Sequence, residues 1–278
     1  MSGSLPEHLS TLQLRRDGIA LHVTIDRPEV RNALSAEVVS ELRWLAAALA
    51  GGAPLADGVR VVVLRGAGGN FSAGGDVRGM SASRERTGAE DDLRRLNREF
   101  GSLLLELRAL PQVVIAAIEG SAMGGGMGLA CISDVAVATE NARLGTPEVT
   151  LGLVPAQIAP FLYERVGGTL ARRLMLTGSV LDARQASAAG LVHEVVPDDG
   201  ALEARVAEIV AQVARCAPRA VARTKALLEQ IVAGDRSTVE RVLDQAAVAF
   251  VEAISDEAPE GIAAFLERRP PRWAGPEE

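Results

Sequence analysis

The segment AMGGGMGLA, Ala122 to Ala130, places three consecutive glycines and a fourth glycine inside an otherwise apolar stretch. A glycine in a helix interior costs about 0.8–1 kcal/mol relative to alanine, so such a cluster needs a physical reason. The segment follows Val113 to Ile118, an apolar run that predicts a strand buried on both faces. We therefore predict a glycine loop between a buried strand and a helix, with bare backbone needed for close packing or for a ligand.

A second glycine-rich loop, Gly66 to Asp76 (GAGGNFSAGGD), follows the apolar run Val61 to Leu64. Open α/β folds bind ligands at the carboxyl ends of such strands. Two unhindered N–H groups, one from each loop, can hold a carbonyl oxygen that gains negative charge, and one such donor contributes roughly 3 kcal/mol. For either loop alone, close helix–strand packing is the favoured explanation, and the presence of two such loops favours a ligand site. The chain lacks the spacing of dinucleotide, P-loop and nucleophile-elbow motifs.

The remaining patterns predict an α/β core followed by a helical C-terminal part. Leu12 to Asp26 reads as a hairpin, whose second strand alternates as a half-exposed strand does, with His22 on the solvent side. Ser35 is a candidate helix N-cap, and 81–110 reads as a long helix. Further helices are predicted at 155–166, 169–176, 182–189, 201–217, 218–231, 236–254 and 258–267.

Composition excludes several classes of function. Hydrophobic residues make up 48% of the 278, charged residues 23%, and the net charge is −7, so neither nucleic acid nor an anionic membrane is an expected partner. No apolar run reaches the roughly 18 residues of a membrane span, and the N-terminus lacks a secretory pattern. Two cysteines suit neither a disulfide framework nor a zinc site. We expect a reduced, cytoplasmic enzyme.

Several segments, in order along the chain, resemble the crotonase family of enoyl-CoA hydratases and isomerases. The two glycine loops, FSAGGDV (71–77) and IEGSAMGGGMGLACISD (118–134), look like its two signature segments. Weaker matches are IDRPEVRNALS (25–35), LGTPEVTLGLVP (144–155), LDARQASAAGLVHEVVP (181–197) and FLERR (265–269). The resemblance implies a crotonase-like α/β fold of repeated ββα units over 1–200, which carries an acyl-CoA site. It also implies a helical oligomerisation region over 201–278, and homotrimers or dimers of trimers.

The resemblance also implies a site. The backbone N–H groups of Gly75 and Gly125 would hold the thioester oxygen of an acyl-CoA, and Glu148, in the segment Gly-Thr-Pro-Glu, would be the acid/base. Coenzyme A would enter as part of the substrate, with no other cofactor and no metal. Further substrate contacts are expected from the two loops and from residues beyond them: Arg31, Ala73, Gly74, Asp76, Val77, Met123, Gly124, Gly128, Gln157, Phe265 and Arg268.

The chain departs from the family at one catalytic position, because Gly128 stands where hydratases carry a first glutamate. One carboxylate suffices to move a proton between carbons, which favours a double-bond isomerase that uses Glu148 alone. The segment 151–162 (LGLVPAQIAPFL) instead resembles a hydratase branch acting on branched glutaconyl-type thioesters, with Gln157 as a polar pocket residue. We therefore expect an enoyl-CoA hydratase, with the isomerase and a non-catalytic acyl-CoA binding protein as alternatives. Asp134 is expected to form a structural ion pair, and Asp76 a helix cap.

Overall fold

The structure, a computed structural model, describes residues 9–77, 79, 89–216, 218–233, 236–255 and 258–269. The start of the helix predicted over 81–110 lies outside these residues. Within them, no helix is both long enough and apolar enough to cross a membrane.

Two β-sheets organise the first two thirds of the chain. The larger sheet has the strand order β1-β2-β3-β4-β6-β9; β1 and β2 are antiparallel and the other neighbours are parallel. Its strands are β1 (Leu12–Asp17), β2 (Ala20–Ile25), β3 (Val61–Gly66), β4 (Val113–Ile118), β6 (Val135–Thr139) and β9 (Glu194–Val196). The smaller sheet consists of β5 (Ser121–Met123), β7 (Arg143–Gly145) and β8 (Val180–Asp182), in that order.

Helices cover both faces of the larger sheet. In the described part of the chain they are α1 (Ala36–Ala50), α2 (Ala89–Arg108), α3 (Gly125–Ile132), α4 (Ala159–Thr177), α5 (Ala183–Ala188), α6 (Asp199–Ala214), α7 (Pro218–Ala233), α8 (Arg236–Ser255) and α9 (Ala258–Glu267). Short 3-10 helices span Pro28–Val30, Pro54–Ala56 and Pro147–Leu151. As predicted, the Ser35 side chain caps α1 by accepting the N–H of Val38. Helices α1 and α2 pack together on one face, whereas α6 packs on the other.

The prediction of a half-exposed second strand is wrong. His22 is only 7% exposed, and Ala20 on the same face is buried as well. The reason is α6, whose apolar residues pack against this face of the sheet. Burial also lowers the pKa of His22. The helices predicted at 155–166 and 169–176 form the single span α4, interrupted at Gly167, where φ is +73°.

The parallel order brings the two glycine loops to one edge of the larger sheet. The first loop leaves the carboxyl end of β3 and the second follows β4, the neighbouring strand. The C-terminal helices contact the core of the same chain: α6 packs on β4 and β6, and α8 packs on α2. The predicted role of 201–278 in oligomerisation stays a prediction.

Candidate active site

A cavity of about 510 Å³ opens beside both glycine loops. Its walls come from α1, α2, the two loops, the segment 147–158 and α8, and most of its lining side chains are apolar. Glu148 and the two predicted backbone donors, Gly75 and Gly125, all line it. The structure therefore brings the three predicted catalytic groups to the wall of one cavity.

The first loop presents the N–H of Gly75 through a backbone bridge. Leu34 donates its N–H to the Gly74 carbonyl at 2.7 Å and accepts the N–H of Asp76 at 3.3 Å. In a parallel bridge of this kind, the residue between the two bonded neighbours points its own N–H the other way. The N–H of Gly75 is thus directed away from Leu34, and it has no hydrogen-bond partner among the described residues.

The second loop presents the N–H of Gly125 at a helix start. Gly124, at φ +48°, turns the chain from β5 into α3 and donates its N–H to the Gly145 carbonyl at 2.9 Å. Gly125 is the first residue of α3, so its N–H has no acceptor within the helix. The positive end of the helix dipole adds to the attraction of this N–H for a negatively charged oxygen.

Close packing accounts for the glycines of the second loop. A Cβ on Gly124 would lie 2.7 Å from Oε1 of Glu148, and one on Gly126 would lie 2.8 Å from Cβ of Ser72. On the first loop, a Cβ on Gly74 would lie 2.9 Å from the Met123 carbonyl oxygen. The bare backbone therefore lets the two loops and the carboxyl group approach one another. Close packing was one of the two explanations that the sequence allowed. It applies here, and the N–H groups of Gly75 and Gly125 remain exposed as well.

Glu148 is a partly buried carboxyl with one enclosed oxygen. It lies on the 3-10 helix Pro147–Leu151, directly after β7. Its Oε2 atom is enclosed and has no hydrogen-bond partner among the described residues. Burial disfavours the charged form and raises the pKa of this carboxyl to about 7. A carboxyl with this pKa both accepts and donates protons near neutral pH.

Gly128 lies in a closed, apolar environment. A Cβ at this position would be 2.6 Å from Cγ2 of Ile158 and 3.4 Å from Cδ1 of Leu104. Gly128 is buried and does not line the cavity, although the sequence predicted a substrate contact here. The place of the first glutamate of family hydratases is therefore filled by apolar side chains of the protein itself.

The other predicted contacts divide into two groups. Those that line the cavity are Ala73, Gly74, Asp76, Val77, Met123, Gly124 and Gln157, whereas Arg31, Phe265 and Arg268 do not. Asp76 accepts the Gly79 N–H at 3.0 Å, the capping hydrogen bond expected for it, and pairs with Arg27 at 3.4 Å. For Arg31, Phe265 and Arg268, substrate contact stays a prediction.

Gln157 lines the cavity, as expected of a polar pocket residue, and its amide is also bonded within the protein. Its side chain is only 2% exposed, and its amide nitrogen donates to Oδ1 of Asn97 at 2.8 Å and to the Leu243 carbonyl at 3.0 Å. The amide thus ties the cavity wall to α2 and α8. Its oxygen Oε1 has no partner among the described residues but is enclosed by the protein.

Sequence reasoning missed two residues at the site, Asn32 and Asn97. Asn32 is fully buried; it accepts the Arg27 N–H and donates to the carbonyls of Ala67 and Asn70, which fixes the segment before Leu34 against the first glycine loop. Asn97 lines the cavity. It follows Leu93 by four residues, the helical spacing that places both on one face, and this spacing was the available signal.

Comparisons with known proteins identify the family. The family model for enoyl-CoA hydratase/isomerase matches residues 15–276. The chain is similar to the 2,3-dehydroadipyl-CoA hydratase of Escherichia coli K12, with 35% identity over 96% of this chain and 100% of that protein. It is also similar to the solved structure of Pseudomonas aeruginosa AtuE, with 47% identity, a TM-score of 0.76, and coverage of 95% of this chain and 100% of that one. A solved enoyl-CoA hydratase/isomerase from Marinobacter aquaeolei shows 43% identity and a TM-score of 0.76, over 95% and 99% of the two chains.

The chain belongs to the enoyl-CoA hydratase/isomerase family and has its crotonase-like α/β fold. It is an enzyme of the hydratase/isomerase type, so the non-catalytic alternative is set aside.

Proposed function

We propose that this enzyme adds water across the C2–C3 double bond of a 2-enoyl-CoA, with Glu148 as its single acid/base. The observation that carries the proposal is the Glu148 carboxyl, with a pKa of about 7 and an Oε2 atom that has no partner among the described residues, in the same cavity wall as the free N–H groups of Gly75 and Gly125. The names of relatives at 35% identity or more support hydration.

The proposed reaction needs one carboxyl group. The thioester oxygen accepts hydrogen bonds from Gly75 and Gly125, which draw electron density from the double bond. Ionised Glu148 takes a proton from water while the hydroxide adds to C3, and the electron pair of the double bond moves onto the thioester oxygen as an enolate. Protonated Glu148 then returns that proton to C2, so the atoms of one water are added and the carboxylate is regenerated.

The proposed substrate class is a short 2-enoyl-CoA, which includes the branched glutaconyl-type thioesters. Two facts support it. The segment 151–162 resembles the hydratase branch that acts on branched glutaconyl-type thioesters. In addition, a relative is named for 2,3-dehydroadipyl-CoA, whose acyl group carries a second carboxylate.

The test is a panel of 2-enoyl-, 3-enoyl- and glutaconyl-type thioesters assayed in water labelled with heavy oxygen. Hydration predicts loss of the conjugated 2-enoyl absorbance and one labelled hydroxyl in the product. We expect Glu148→Gln to lower the rate at least about a hundredfold because the proton carrier is removed. Glu140→Gln, an exposed partner of Arg184, is the matched control and retains activity.

Isomerisation is the second candidate because no carboxylate occupies position 128. It requires Glu148 to move a proton from C2 to C4 of a 3-enoyl-CoA without uptake of water. A product that gains 2-enoyl absorbance and carries no heavy oxygen would establish this reaction in place of hydration.

We further propose that the enzyme assembles as a homotrimer or a dimer of trimers. Large apolar side chains remain exposed on α7 and α9, namely Leu227, Leu228, Phe265 and Leu266. Exposed apolar patches of this kind mark interaction surfaces. Light scattering should give about three or six times the chain mass of 29.1 kDa. A monomer at micromolar concentration would refute assembly.

A further inference from the structure

The amide of Asn97 has a defined orientation in the cavity wall. The Leu243 carbonyl can only accept a hydrogen bond, so the atom of Gln157 that contacts it is the NH₂ group. The same nitrogen contacts the Asn97 side chain at 2.8 Å. Asn97 must therefore present its oxygen to Gln157, and its own NH₂ group points elsewhere.

The NH₂ group of Asn97 is a free donor. It has no hydrogen-bond partner among the described residues, and it is not among their enclosed, unpartnered polar atoms. Because Asn97 lines the cavity, this donor is accessible there. The surrounding cavity walls are apolar, with Leu93, Leu96 and Phe250 among the lining residues.

Asn97 lies near the reacting end of the cavity. Phe100 is three residues further along α2, and its ring Cζ atom lies 3.1 Å from the position a Cβ would take on Gly125. Residues three apart on a helix are neighbours on one face, about 4.5 Å apart along the axis. Asn97 therefore lies on the same face of α2 as the ring that packs against Gly125.

The orientation of Asn97 depends on a tightly packed neighbour. Oε1 of Gln157 is buried without a partner and lies where a Cβ on Gly101 would come within 2.1 Å. A buried acceptor without a hydrogen bond lowers the stability of the folded state. The fixed position of this amide therefore carries a cost in folding free energy. Gly101 leaves the space that Gln157 needs in order to hold Asn97.

We propose that Asn97 is a specificity-determining residue, whose NH₂ group donates a hydrogen bond to an oxygen on the acyl chain beyond the reacting double bond. Gln157 is its positioning residue. This inference rests on the proposed function in that it takes an acyl-CoA as the ligand, and it names the acyl class: chains that carry an acceptor oxygen, either a carboxylate or a neutral carbonyl.

The experiment compares the binding of three saturated thioesters of equal chain length: adipyl-CoA, 5-oxohexanoyl-CoA and hexanoyl-CoA. The variant Asn97→Asp keeps an acceptor for Gln157 and removes the donor, and Asn97→Leu removes both. Ser102→Ala, on the same helix outside the cavity lining, is the control. Calorimetry with these unreactive ligands needs no turnover, so failure of hydration and failure of this proposal are separate results.

We expect the wild type to prefer at least one oxygen-bearing thioester over hexanoyl-CoA. Asn97→Asp and Asn97→Leu should lower that preference about tenfold, the effect of one lost hydrogen bond, with little change for hexanoyl-CoA. If the variants weaken adipyl-CoA binding, the bound oxygen is that of a carboxylate; if they weaken 5-oxohexanoyl-CoA binding, it is that of a neutral carbonyl. Equal preferences in wild type and variants for both arms would overturn the proposal. If Asn97→Leu does not fold, Asn97→Asp alone decides.

Discussion

Two carboxylates of this enzyme lie next to consecutive strands, β6 and β7, and have opposite environments. Asp134, just before β6, accepts the Val114 N–H at 2.7 Å and the ammonium group of Lys225 at 2.6 Å. Lys225 in turn donates to the Gln112 carbonyl at 2.9 Å. Glu148, just after β7, has an enclosed oxygen with no partner among the described residues.

The difference separates a structural carboxylate from a chemical one. The Val114 N–H and the Lys225 ammonium group both bind the Asp134 carboxylate, which fixes α7 to the start of β4. The structural ion pair expected from the sequence is confirmed. Oε2 of Glu148 has no partner among the described residues, and burial raises the pKa of this carboxyl to about 7, so it can exchange a proton near neutral pH. The chemistry of Glu148 therefore carries a stability penalty that the Asp134 pair does not.

After the loss of rate expected for Glu148→Gln, the next largest effect is expected from Gly124→Ala. The new Cβ would lie 2.7 Å from Oε1 of Glu148 and would displace the carboxyl group. We expect a loss of about tenfold or more in kcat/KM, since small misplacements of a catalytic group are costly. Steady-state kinetics measures it.

Gly190→Ala controls for backbone strain alone. Gly190 also has a positive φ of +72°, and a Cβ there meets nothing within 4 Å. It should lose stability without losing rate per folded enzyme. Equal losses of rate in both variants would show that strain, and not displacement of Glu148, is responsible.

A smaller effect, on stability alone, is expected from Lys225→Met. The change removes the partner of Asp134 and the donor to Gln112, while it keeps the length of a side chain that is 8% exposed. The free energy of unfolding should fall by about 1–3 kcal/mol, measured by denaturant titration. Activity per folded molecule should not change. A loss of activity at full stability would contradict the division of roles.

Local patterns predicted the parts of the fold whose residues act with near neighbours. Val61 to Leu64 and Val113 to Ile118 are buried strands, and Ser35 caps α1, as expected. The strands of the smaller sheet have three residues each, too few for a periodic signal. The burial of His22 depends on α6, which lies far along the chain, so no local pattern indicates it.

The candidate site could likewise be predicted only where its residues belong to a local sequence motif. Motif resemblance pointed to Glu148, Gly75 and Gly125, and all three line the cavity. Gln157 also lines the cavity, but no pattern indicated that its amide donates to the carbonyl of Leu243, 86 positions away. Such a long-range partner also sets the orientation of Asn97, which no sequence pattern shows.

The most direct test of the central claim is the pH dependence of stability in wild type and Glu148→Gln. The carboxyl pKa is raised from 4.5 to about 7 on folding, so the folded state binds this proton more tightly than the unfolded chain. The stability that this proton contributes is fully present below pH 4.5 and is lost as the pH rises through 7.

The free energy of unfolding of Glu148→Gln, relative to wild type, should therefore increase with pH. We predict a gain of about 2.5 kcal/mol between pH values of about 5 and about 8, since each pKa unit corresponds to about 1.4 kcal/mol and the unfolded carboxyl is already mostly ionised at the lower pH. Denaturant titrations at both pH values measure it, and other titrating groups cancel in the difference. A difference that does not change with pH would contradict the claim that the surroundings of Glu148 raise the pKa of its carboxyl group.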